Sequence, residues 1–190
     1  MKIKLLAAAA LLTLTGCATP VETQLTLAPK AVPSSIVAPS GSEINITSRD
    51  LRSAQFVAIV DSGRDRVKPV QSQQNLRVLL EDVITDQLRA QGYTADISSP
   101  VSLRIDIMEA MTRVNDSAVN HGIDTKVQLQ LVVEAPYGRL VKRYSGHATD
   151  EGVMSASIQD MENSMNQVIE AILADIAADD QLHDYLQGKI

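Results

Sequence analysis

Between Val101 and Val133, apolar side chains recur on every second residue. Val101, Leu103, Ile105 and Ile107 form one series; Ile123, Val127, Leu129, Leu131 and Val133, with Thr125 among them, form another. A period of two belongs to the β-strand, whose successive side chains leave opposite faces. The intervening residues Ser102, Arg104, Asp106, Lys126, Gln128, Gln130 and Glu134 are polar. The pattern therefore predicts a sheet with one apolar and one wet face. Asn120-His121-Gly122 and Pro136-Tyr137-Gly138 read as turns. Residues 101 to 149 are then an antiparallel three-stranded meander whose last strand runs from about Arg139 to Ala148.

An apolar sheet face needs a cover, and two segments with helical spacing can supply it. Leu76, Leu79, Leu80, Val83, Ile84 and Leu88 lie on one stripe, and so do Ile158, Met161, Met165, Val168, Ile169, Ile172, Leu173 and Ile176. Gly92 suits a left-handed cap on the first helix, with Tyr93 closing on Leu88 as the apolar contact of a Schellman motif. Leu182, Tyr185 and Leu186 suggest a short final helical turn. Ile44 with Ile46, and the run Phe56-Val57-Ala58-Ile59-Val60, read as two further strands, the second more fully buried. Two singly striped helices cover one sheet face only. The expected fold is α+β, a two-layer α/β sandwich with a mostly antiparallel sheet and both helices on one face.

The N-terminus carries an address. Lys2 and Lys4 precede the apolar stretch Leu5 to Leu14, which at roughly ten residues is half of what a membrane-spanning helix needs. It ends in Leu14-Thr15-Gly16-Cys17, with small residues directly before the chain's single cysteine. This is a bacterial lipobox: the processing peptidase fits small side chains ahead of the cut between Gly16 and Cys17, and the Cys17 thiol accepts a diacylglyceryl group. One cysteine makes neither an internal disulfide nor a cysteine-based zinc site. Pro20, Pro29, Pro33 and Pro39, four of the seven prolines, fall between Cys17 and Gly41 among serines, a semi-extended composition. The expected organisation is a signal peptide over 1–16, a lipidated Pro/Ser-rich tether over 17–42 and one globular domain over 43–190. Leu25 and Leu27 flank Thr26 and offer an alternative, a short edge strand that would shorten the tether.

Several segments together resemble the YajG family of bacterial lipoproteins. They are Asn75-Leu76-Arg77-Val78-Leu79-Leu80, Ala90-Gln91-Gly92-Tyr93, Pro100-Val101-Ser102-Leu103, Ile123-Asp124-Thr125-Lys126, Lys142-Arg143-Tyr144, Glu151-Gly152 and Ala174-Asp175-Ile176, in this order behind the lipobox. The resemblance spans essentially the whole mature chain. It implies an outer-membrane lipoprotein of unassigned molecular function. Resemblance to bacterial lipoproteins also implies three acyl chains on Cys17, enough for stable anchoring. Ala18 stands where an Asp would typically retain such a protein in the inner membrane, so the expected location is the periplasmic face of the outer membrane.

The charge is acidic, −6 with 3% aromatic residues and no Trp, which argues against a nucleic-acid partner. Residues 150 to 190 hold nine acids against Lys189 alone, a net of −8. Asp179, Asp180 and Asp184 are therefore candidates for docking a basic protein partner of the envelope. Asp50 and Arg52, at a strand end, are candidates for ligand binding. His121, His147 and His183 have no His or Cys neighbour at helical spacing, so no metal site is expected. Nor does any acid/base pair or nucleophile stand out, and no cofactor is expected beyond the covalent lipid on Cys17. The expectation is a non-enzymatic accessory or interaction module in an envelope assembly or transport complex; a binder of lipid or a small amphiphile is the alternative.

Overall fold

The computed structural model describes residues 24–63, 66–117 and 119–189. Gly16 and Cys17 lie outside the described residues. Three long strands dominate: β6 (Ser102–Asp116), β7 (Asn120–Ala135) and β8 (Gly138–Val153), joined as the expected antiparallel meander. The Pro136-Tyr137 turn closes β7 on β8. The first turn lies before Asn120, so Gly122 sits inside β7 and not in a loop.

The other edge of β6 is shared. Its first half, Ser102–Ile107, pairs in parallel with β2 (Glu43–Asp50), and its second half, Thr112–Asn115, pairs in parallel with β3 (Ala58–Asp61). β2 and β3 thus lie end to end along one strand. β4 (Lys68–Ser72) pairs antiparallel with β3, and two-residue strands β1 (Gln24–Leu25) and β5 (Thr94–Ala95) add parallel to β4 and β2. The expected mostly antiparallel sheet is corrected to a mixed one that curls into a half-barrel. Period-two patterning specifies faces and leaves the direction of a neighbour open.

A β-bulge reverses the face of β6 midway. The register with β7 slips between Ile107 and Glu109, leaving Met108 as the extra residue. Leu103, Ile105 and Ile107 are buried before it and Ala110, Thr112 and Val114 after it. Without the bulge, Glu109, Met111 and Arg113 would point into the core.

Helices α1 (Leu76–Ala90) and α2 (Ile158–Ala177) have the predicted apolar stripes, and both pack on the inner face. The Schellman cap is present: Gly92 adopts φ +92°, its N–H donates to Arg89, and the Tyr93 N–H donates to Leu88. α2 crosses β8 at Gly146, where a Cβ would stand 2.7 Å from Val168 Cγ1. Hydroxyls tie it to the sheet, Ser164 donating to Thr125 Oγ1 (2.8 Å), which contacts Thr112 Oγ1 (2.9 Å). The final helix α3 (Asp180–Leu186) buries Leu182, Tyr185 and Leu186 as expected.

The segment anticipated as a tether belongs to the fold from Gln24 onward. Leu25 and Leu27 are fully buried, in line with the edge-strand alternative. Alternate backbone N–H groups at Thr26, Ala28 and Lys30 donate to Glu162 (2.6 Å), Asn166 (3.0 Å) and Glu170 (3.0 Å) on one face of α2. The match is geometric: two extended residues advance about 6.6 Å, and four helical residues about 6 Å. Further along, Val32 exchanges two hydrogen bonds with buried Gln87 of α1. Much of the acidity of α2 is thereby used within the chain.

Candidate interaction surface

β8 pairs with β7 on one side only, so among the described residues its other edge is free over sixteen residues. Such an edge presents unpaired backbone donors and acceptors to any incoming strand, and short strands, prolines and bulges usually suppress it. β8 has no proline and keeps an unbroken register with β7. Charged residues along it, Arg139, Lys142, Arg143, Asp150 and Glu151, are its remaining restraint.

Beside this edge, the sheet's outer face carries a polar relay. Buried Asp106 accepts from Arg49 through two bonds (2.8 and 3.0 Å), from Arg104 Nε (3.2 Å) and from the Gln130 amide (3.5 Å). Arg143 on β8 donates to Gln130 Oε1 (3.1 Å), so the relay spans β2, β6, β7 and β8. Burial raises the Asp106 pKa, but hydrogen bonding from Arg49 and the Arg104 charge outweigh it and hold the carboxyl below its ordinary value. Around the relay, Glu134 pairs with Arg104 and Arg139 (both 3.7 Å), Glu109 with Lys126 and Arg113 (3.5 and 3.8 Å), and His147 Nε2 lies 3.4 Å from Asp124. This patterned surface can recognise a polar partner. Sequence reasoning placed Arg104, Asp106, Lys126, Gln130 and Glu134 on the wet face but missed the cluster, because Arg49 and Asp106 lie far apart in the chain and meet only through the parallel β2–β6 register.

Of the residues singled out from the sequence, Asp50 and Arg52 do come together, with Arg52 Nη2 2.8 Å from Asp50 Oδ2. Arg52 also donates to the carbonyls of Phe56 and Ala110, both at 3.3 Å, and only 5% of its side chain is exposed. The pair knots the β2–β3 connection. Desolvation opposes ionisation of Asp50, and the Arg52 hydrogen bonds overcome it, keeping its pKa low.

Asp179, Asp180 and Asp184 do not form one patch. Asp179 caps α3 by accepting from the Leu182 N–H (3.0 Å), and its other oxygen accepts from Lys142 and Tyr144 of β8 (both 2.8 Å), leaving 12% of the side chain exposed. Its role is to hold α3 on the sheet. Burial first, then the Asp179 carboxylate, raises the Tyr144 pKa above its ordinary value. Asp180 is exposed, and Asp184 faces Lys189 at 3.9 Å.

The histidines are equally local. His121 Nδ1 lies 2.9 Å from the Met154 carbonyl, and buried His183 sits between Tyr93 Oη (2.9 Å) and the Ile176 carbonyl (3.1 Å), with burial depressing its pKa. Among the described residues no three metal-ligating side chains converge. Two hollows, of about 400 and 420 Å³, are open and lined largely by acids and amides near the β6–β7 turn. No described helix is long and apolar enough to cross a membrane.

The profile of the family Lipoprotein_16, described as uncharacterized lipoprotein, matches residues 29–187. The chain belongs to this lipoprotein family. It is 27% identical over 180 residues to the uncharacterized lipoprotein YajG of Escherichia coli K12, covering 94% of this chain and 93% of that one, and equally similar to YajG of strain CFT073. The resemblance drawn from the short segments is thereby shown to be homology. Membership implies a lipid anchor and hence attachment to a membrane. The lipoprotein also shares its fold with protein XCC0632 from Xanthomonas campestris, at TM-score 0.63 and 10% identity over 88% of this chain and 98% of that one.

Proposed function

We propose that this lipoprotein is a non-enzymatic interaction module, anchored through acylated Cys17 on the periplasmic face of the outer membrane, that assists an envelope assembly or transport complex. The observation that carries the reading is the sixteen-residue free edge of β8 beside the charged relay. A partner strand laid along that edge gains main-chain hydrogen bonds, and the alternating outward side chains Arg143, Ser145 and His147 supply selectivity. The alternative, an amphiphile bound between helices and sheet, is weakened because Leu25 and Leu27 of the chain itself are fully buried in the core there, beside α2.

A photocrosslinker at Ser145 in intact cells tests the proposal. Discrete adducts with an envelope protein are expected, and they should disappear when the crosslinker is moved to Ile97, an exposed residue between β5 and β6 and off the β8 strand. Equal labelling from both positions would defeat it. A co-purified lipid in the native mass spectrum of the lipoprotein would favour the alternative. The anchor has its own test: Cys17→Ser should abolish incorporation of labelled palmitate.

A further inference from the structure

The strand directions show from which end the lipid anchor approaches. β3 and β6 run in parallel toward the β6–β7 turn; β4 runs back from it, and β1 is parallel to β4. The described chain therefore enters the fold at Gln24 heading away from that turn. Gln24 pairs with Gln71, whose neighbour Val70 pairs with Ala58, which in turn pairs with Thr112. Gln24 thus stands roughly level with Thr112, and β6 ends four residues further on at Asp116, about 13 Å away at about 3.3 Å per residue. Residues 17–23 number seven, which even fully extended reach only about 25 Å. With Cys17 in the bilayer, Gln24 lies within about 25 Å of the surface, and a sheet standing on this end would take up about 13 Å of that reach.

Among the described residues, the same end displays apolar side chains that stand exposed. Val119 is 73% exposed, Val153 81%, Met154 72% and Val67, on the adjoining β3–β4 connection, 48%. Met154 is the one non-glycine residue of positive φ among those described, at +64°. This left-handed conformation is unfavourable for a residue with a Cβ. Two bonds impose it: the Met154 N–H donates to the Val119 carbonyl (3.0 Å), and its carbonyl lies 2.9 Å from His121 Nδ1. The backbone is held where the Met154 side chain points outward. The hollows at this end are lined by the acids Asp61, Asp116, Asp150, Glu151 and Asp160, with Lys68 opposite Val60 on the β3–β4 ladder. Any affinity for a surface is therefore apolar more than electrostatic.

We infer that this end of the β6–β7–β8 arm docks on the lipid surface, with Val67, Val119, Val153 and Met154 dipping into the headgroup region. The inference rests on the lipid anchor at Cys17, and it orients the free β8 edge away from the bilayer plane, open to a partner. Because the chain has no Trp, a single introduced indole reports its own surroundings. The acylated V119W and I97W variants are reconstituted into phosphatidylethanolamine/phosphatidylglycerol vesicles with and without brominated acyl chains. Ile97 is 90% exposed at the opposite end of β6. Blue-shifted emission quenched by bromolipid is expected for V119W and not for I97W. Flotation with the vesicles but equal, unquenched emission from both variants overturns the docking and leaves the anchor standing. Failure to float overturns the anchor and the docking with it. V153W repeats the measurement on a second strand, guarding against a local effect of the first substitution.

Discussion

Leu27→Ala tests whether the stretch that reads as a linker is part of the folded body. Leu27 is fully buried in an extended segment held by α2 side chains and by the Gln74 amide, which donates to the Leu27 carbonyl (3.1 Å). Truncating a buried leucine to alanine removes its transfer free energy and leaves a cavity, together about 2–5 kcal/mol. Thr26 and Ala28 on either side of it are exposed, so the segment can shift to close part of the cavity, and about 3 kcal/mol is expected. For a chain of this size that corresponds to about 6–12 °C in Tm. The assay is urea unfolding of the chain from residue 18, with Ser35→Ala, an exposed position on the same segment, as the control expected within about 0.5 kcal/mol. The midpoint should move with the slope unchanged. A Leu27→Ala midpoint indistinguishable from that of Ser35→Ala would show that residues 24–42 are undocked in solution.

Other perturbations probe the sheet and its helices. Leu129→Ala should cost about 2–5 kcal/mol and Gln128→Ala, on the outer face, within about 0.5 kcal/mol; equal losses in denaturant would mean that both faces are covered. Gly146→Val places carbons against Val168 and should destabilise by about 1–3 kcal/mol through overpacking, an effect Val168→Ala in the same chain should partly relieve in thermal unfolding. Burial opposes ionisation of Asp179, but hydrogen bonds from Lys142, the Leu182 N–H and Tyr144 prevail, so its folded pKa lies below the unfolded value. Its contribution is present above about pH 4 and is lost as pH falls through the folded pKa. Asp179→Asn should therefore cost about 1–3 kcal/mol at pH 7, with the two unfolding curves converging in acid; a constant gap down to the lowest measurable pH would contradict the assignment.

What the amino-acid order determines here is local. The period of two in 101–133 set the meander and its wet face, and the stripes at 76–88 and 158–176 set both helices. Ala90-Gln91-Gly92-Tyr93 set the cap, because Gly92 is where the chain must turn left-handed. Each of these depends on residues within a few positions of one another, and so each is readable from the chain alone. The tertiary structure decided what depends on distant partners. Asp179 reads as a docking acid until β8 brings Lys142 and Tyr144 to it, and Asp106 reads as one residue of the wet face until the parallel register sets Arg49 on it. A Pro-rich segment reads as a tether until α2, some 136 residues away, offers acceptors at the spacing of an extended backbone. Composition marks such a segment as polar and extended, but whether an extended chain is free or docked is decided by the surface it meets.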